Sequence, residues 1–312
     1  MLPTLVGTWR DGLFALDERG RTQHFAGQTV PALARDAQGA ALAIVGEHAL
    51  WRLEPDGRWH RLAEVEAPLC CCVATREAIY LGTDDARLFR LEPPRRAEPL
   101  EAFERVPGRE RWYSGAAMID GRMLGPPLGV RSLTATCDGR VLLANVHVGG
   151  IPRSTDGGAS WHATIDIDAD VHHVCAHPSC AELVVAAAAA GLCTSEDAGA
   201  TWRIESQGLH APYCAAVACA ADAVLITAAA GHFAPQGALY RRELRSAQPL
   251  QRVRGGLPDW LGGIVDTHCL ACDSERAVLV DRTGMLFWSD DAGEHWHPGQ
   301  QGLPAPSSVL LS

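Results

Sequence analysis

The sequence has no lysine and no run of basic residues: 27 arginines stand against 37 aspartates and glutamates, a formal charge of −10. A surface that binds a phosphate backbone draws on runs of positive charge, so nucleic acid is excluded as an expected partner. Also missing is any unbroken apolar stretch of the roughly 18 residues that a membrane span requires. The opening MLPTLVGTWRDG carries neither the basic segment nor the apolar segment of a secretory signal. The expectation is a soluble, cytoplasmic protein with no membrane partner. The eleven cysteines lack the paired spacing of a four-cysteine zinc site and sit within apolar segments rather than at loop junctions. Cys70-Cys71-Cys72 and the Cys269/Cys272 pair do not repair this, because residues i and i+3 of a strand point to opposite faces. Reduced core thiols are expected.

What the sequence does have is a repeat. Ser154-Thr-Asp156-Gly-Gly158-Ala-Ser-Trp161 recurs as Ser195-Glu-Asp197-Ala-Gly199-Ala-Thr-Trp202, 41 residues on. It returns 94 residues later as Ser289-Asp-Asp291-Ala-Gly293-Glu-His-Trp296, so about one period between the last two copies has kept its spacing and lost the motif. Repeats of about 40 to 45 residues correspond to four-stranded propeller blades. The motif reads as a local staple: the aspartate caps backbone N–H groups of a turn, the glycine provides backbone freedom, and the tryptophan packs between blades.

Registering the chain on this period gives seven first-strand starts, near Val30, Cys70, Arg131, His172, Tyr213, His268 and Ser307, each opening a short apolar run. The reading is all-β: a single seven-bladed β-propeller over residues 1–312, with four-stranded antiparallel blades. The alanine run at 186–190 occupies a second-strand slot, and register overrides its helix propensity. The chain opens on a second-strand sequence, Thr4 to Trp9, and closes on a first-strand sequence, Ser307 to Leu311. The two termini are therefore expected to complete one blade, leaving no open sheet edge.

In triplicate the motif resembles that of the BNR/Asp-box propellers, a group that includes sialidases, sortilin-type receptors and photosystem assembly factors. The third copy departs from the pattern in carrying His295 where Ser or Thr is usual. The segment Gly149 to Gly158, together with Asp170-Val-His-His173, is similar to bacterial WD40/YVTN/BNR-like repeat proteins. That resemblance implies the fold and no particular reaction.

In such a blade the first-strand starts and second-strand ends share one face, opposite the Asp-box turns. The starts supply Arg131, His172, Tyr213 and His268, flanked by Asp170, His173 and Asp266. The second-strand ends add Arg10, Glu47, His48, Asn145, His147, His232 and Arg282, and the connection before the fourth blade adds Trp112, Tyr113 and Ser114. Otherwise apolar strands that all become polar at one end point to a ligand site at the mouth of a central channel. The arginines and histidines favour a small anionic or hydroxyl-rich ligand.

Three chemistries are open at that mouth. His147, His172 and His268, with Asp170 or Asp266, have the donor types for a divalent metal or for acid–base work in a hydrolase. The sialidase resemblance would cast Arg10, Arg131 and Arg282 as a carboxylate clamp and Tyr213 as nucleophile, but the Arg-Ile-Pro motif that sialidases carry is absent. The alternative is a non-catalytic platform for a protein partner, with loop aromatics such as Trp112, Phe233 and Trp260 as its contacts.

Overall fold

The computed structural model describes residues 3–113, 118–119, 122–123 and 129–311. Its fold is a seven-bladed β-propeller of four-stranded antiparallel blades. The first blade orders Gly20–His24, Leu13–Asp17, Thr4–Thr8 and Pro306–Leu311. The next six run outward in chain order, with first strands Leu33–Arg35, Leu69–Ala74, Val130–Ala135, Val171–Ala176, Tyr213–Ala220 and Leu270–Asp273. These starts agree with the sequence register to within about three residues. The sixth blade, whose turn lacks the Ser-x-Asp motif, carries an extra strand, Leu261–Gly262, on Gln236–Glu243.

Second strands form the interior. Ala41–Val45, Ile79–Thr83, Leu142–Val146, Val184–Ala188 and Ala223–Ala229 are buried at every position. A strand buried on both faces reads as a continuous apolar run, and this is why the alanine-rich Val184–Ala188 is a strand. Closure is also as expected. Thr4 pairs with Leu311, Leu5 with Leu310 and Val6 with Val309, and Ser307 Oγ donates to the Val30 carbonyl at 2.6 Å.

The three repeated turns share one bonding scheme. Asp156 Oδ1 accepts from Ser160 N at 2.9 Å and Ser154 Oγ accepts from Gly158 N at 2.9 Å, with the serine hydroxyl in turn bonded to Asp156 at 2.8 Å. Ser195 and Asp197 repeat this around Gly199, and Ser289 and Asp291 around Gly293. Trp161 and Trp296 return Nε1 to the carbonyls of Gly158 and Gly293, both at 3.0 Å, whereas Trp202 donates to Thr164 Oγ1.

Contacts divide the chain into two compact units: residues 1–32, 185–193 and 204–312, and residues 33–184 with 194–203. In the second, the first strands of the third, fourth and fifth blades lie side by side over a core containing Val130, Val146, Phe103 and Trp161. In the first, Val278, Leu279, Trp296, Val309 and Leu311 form one cluster. All eleven cysteines are reduced thiols. Burial pushes Cys72 and Cys193 up to about 12, which keeps them protonated and unreactive.

Candidate functional site

One group of titratable side chains converges where the fourth blade meets the fifth. The second strand Leu142–Val146 runs out into His147, whose N–H donates to the Gly129 carbonyl at 3.1 Å. A tight turn then closes from Gly150 back to Val146, with Val148 at φ 47°. Asp170 precedes the first strand of the fifth blade. It ends a 3₁₀ turn, Ile167–Ala169, that is capped by the Asp166 carboxylate, and it takes a left-handed backbone, φ 50° and ψ 69°. A non-glycine residue pays on the order of 1 kcal/mol for that conformation. His172 follows two residues later and is fully buried.

The two blades thus bring His147 Nε2 to 3.3 Å and His172 Nε2 to 3.5 Å from the same oxygen, Asp170 Oδ1, with the imidazole rings 5.5 Å apart. Burial alone would raise the Asp170 carboxyl, but the contacts from His147 and His172 outweigh it and hold the group well below the usual carboxylate range. Burial lowers His147, and the nearby charge of Arg131 adds to that effect, while Asp170 opposes it. At neutral pH the site therefore combines a carboxylate with a neutral His147 imidazole.

Asn145 belongs to the same neighbourhood. It is completely buried, and neither Oδ1 nor Nδ2 has a hydrogen-bond partner among the described residues. It stands directly across from Ser132, and cross-strand partners point to the same side of a sheet. Ser132 Oγ accepts from Val174 N at 3.0 Å, so that side faces the strand carrying His172.

Five of the residues expected at a channel mouth are therefore neighbours: Arg131, Asn145, His147, Asp170 and His172. His268 is not one of the metal-type group. It lies in the other unit, where its carbonyl accepts from Val309 N at 2.7 Å and helps seat the closing strand. Trp112 is only 4% exposed, with its ring 5.7 Å from Phe103, so it is a core residue where the sequence suggested a ligand contact. Its neighbour Tyr113 is half-buried and donates its N–H to Val148 O at 3.2 Å, and Ser114 lies outside the described residues. His173 is half-buried, and Tyr213 packs on the small cluster of Ala215, Ala229 and Ile264.

A second polar group lies within the other unit. Arg282 donates to the His232 carbonyl at 2.8 Å and stands 3.6 Å from Asp266. These residues, with Trp9 and Asp281, line a cavity of about 320 Å³. Asp281 escaped the sequence reading; it is buried and receives the backbone N–H groups of Gly262 and Thr283. The signal for it was the Asp-Arg-Thr-Gly turn after a second strand. Arg10 is exposed.

No protein-family model matches the chain, and no curated protein resembles it. Solved structures do resemble it. A candidate 6-phosphogluconolactonase from Bacteroides uniformis superposes with a TM-score of 0.69 at 13% identity, over 99% of this chain and 98% of that one. The periplasmic gluconolactonase of Pseudomonas aeruginosa gives 0.63 at 12% identity, over 99% and 98%. The GH74 xyloglucanase of Xanthomonas campestris gives 0.61 at 17% identity, and this chain, 96% covered, spans 47% of its length. At these identities the likeness concerns the fold alone. Among the described residues, no helix is long and apolar enough to cross a membrane.

Proposed function

We propose that the chain is a propeller of the BNR/Asp-box type that binds a small anionic or hydroxyl-rich molecule and hydrolyses it. The reaction centre is His147, Asp170 and His172. The observation that carries this reading is the convergence of two imidazole nitrogens on one buried carboxylate oxygen, held by a left-handed backbone. Buried titratable groups in strained positions are more common at reactive sites than elsewhere. The carboxylate and the neutral imidazole provide the means to activate water, and the nearby cation of Arg131 suits an anionic ligand or a developing oxyanion.

Two of the structural neighbours are described as lactone hydrolases, which makes small lactones the first substrates to test. Hydrolysis adds water across the ring ester and gives one hydroxy acid. The expected result is turnover of at least one sugar lactone or small ester, reduced about 100-fold or more in Asp170→Asn at matched folding. A panel of lactones and esters with no turnover, or turnover equal in wild type and Asp170→Asn, contradicts the reading. Sialidase chemistry finds less support, because Arg282, one of its three clamp arginines, is already engaged by the His232 carbonyl and Asp266.

A platform for a protein partner draws support from Phe233, 88% exposed, and Trp9, 48% exposed. Aromatic side chains are enriched at protein–protein interfaces. Capture of a defined partner that is lost in Phe233→Ala, with no lactone or ester turned over, would favour the platform.

A further inference from the structure

We propose that His147 Nε2, Asp170 Oδ1 and His172 Nε2 are three protein ligands of a divalent transition-metal ion, zinc or a similar borderline cation, with Asn145 as a positioning residue beside them. The inference deepens the hydrolase reading, on which its catalytic meaning rests, but the metal site stands or falls by its own measurements.

Geometry is the first argument. A hydrogen bond between imidazole N–H and carboxylate would close to about 2.8 Å. Here both nitrogens stop at 3.3 and 3.5 Å from the oxygen, and all three ligand atoms lie within 4.8 Å of one another. Ligands at about 2.1 Å from a tetrahedral ion are about 3.4 Å apart. The two contacts to Asp170 thus have the length of the edges of a coordination tetrahedron and are long for hydrogen bonds.

Chemistry is the second. Two imidazoles and one carboxylate form the donor set that suits zinc, iron(II) or manganese(II), and three protein ligands leave a position open for water or substrate. Coordinated water loses a proton far more readily than free water, which is the step that hydrolysis of an ester needs.

Asn145 adds support from outside the ligand set. Asn145 is fully buried, its amide has no partner at either end among the described residues, and it faces the His172 strand. An unsatisfied buried amide is costly and persists where something outside the protein uses it. A water or substrate in the open coordination position would provide that partner. Asp170 Oδ1, equally buried and without a hydrogen bond of good geometry, fits the same account.

The test starts with apo-protein stripped by chelation, then titrated separately with zinc, manganese(II) and cobalt(II). The expected result is one ion per chain, with a raised Tm by mass action. Both effects should be lost in His147→Ala and Asp170→Asn, and retained in His268→Ala. Eleven thiols are the obvious competitors, and cobalt separates them: ligation by nitrogen and oxygen gives visible bands with no thiolate charge-transfer absorption. Asn145→Leu should weaken metal affinity about 10- to 100-fold while leaving the apo-protein Tm unchanged or higher. A purely structural asparagine would lower that Tm.

The proposal is overturned if no ion binds stoichiometrically, if cobalt shows thiolate ligation, or if the folded His147→Ala protein keeps its metal. One ion per chain with no lactone or ester turnover would uphold the metal site and defeat the hydrolase reading. Turnover by a chain that binds no ion would uphold the hydrolase reading and defeat the metal site.

Discussion

At the scale of single residues, the repeated turns show why each motif position holds its residue. Gly199 sits at φ +79°, and a Cβ there would run into the Leu143 side chain of the preceding blade. Gly158 meets Leu100 and Gly293 meets Leu225 in the same way. The glycine is therefore required twice, by its backbone and by close packing. Gly199→Ala should cost about 2 to 4 kcal/mol from the combined strain and overpacking. Gly27→Ala, at φ +77° with nothing nearby, should cost about 1 kcal/mol. Thermal unfolding of the two variants checks this, and equal losses would contradict it. The sequence reading anticipated only the backbone role, because the leucine comes from another blade. In the third copy, His295 stands in for the usual hydroxyl. Its Nδ1 lies 2.7 Å from Asp291 Oδ2, where Ser160 and Thr201 bond their own aspartates. At the site, blade register alone brought out His147, Asp170 and His172. It could not separate them from His268, which occupies an equivalent position in its blade but turns its carbonyl to the closing strand. The burial of Trp112 was not legible, because a connecting segment with aromatics looks the same in sequence whether it is buried or exposed.

At the scale of elements, the turns carry a pH dependence. The Ser160 hydroxyl draws Asp156 down to about 2. At Asp197 and Asp291 burial works the other way, and the bonds from Thr201 and His295 overcome it to the same value of about 2. A carboxyl whose folded pKa lies below its unfolded value of about 3.9 stabilises the fold above that pH. The contribution is lost as protons bind between about pH 4 and pH 2. Stability should therefore fall through that window, and the fall should be shallower in Asp156→Asn. Denaturant unfolding across the acid range measures it; an unchanged slope in the variant would refute the assignment. Solvent screening keeps the effect of each turn small, so the slope is more informative than the absolute stability. Strand identity was legible because second strands are uninterrupted apolar runs, and even Val184–Ala188 obeyed the register. Element boundaries were less so: the seventh blade's first strand begins at Leu270, and His268 just before it bridges instead to Ser308.

At the scale of the whole molecule, the seven-blade count and the joining of both termini in one blade were legible from the period and from the apolar closing segment. The closing strand places Val309 and Leu311 in a core cluster and bonds Ser307 to Val30. Removing residues 307–312 should cost at least about 4 kcal/mol from those two side chains alone and lower the Tm of the main transition. An unchanged Tm would mean that the closing strand is dispensable. The reaction was not legible, because a fold shared with a gluconolactonase and a xyloglucanase fixes no chemistry. At the junction of the fourth and fifth blades, anomalous diffraction from crystals grown with zinc or manganese would locate a bound ion. One strong peak is expected about 2.0 to 2.2 Å from His147 Nε2, Asp170 Oδ1 and His172 Nε2. Density showing Asp170 hydrogen-bonded to both histidines with no ion between them, or anomalous peaks only at cysteines, would contradict it.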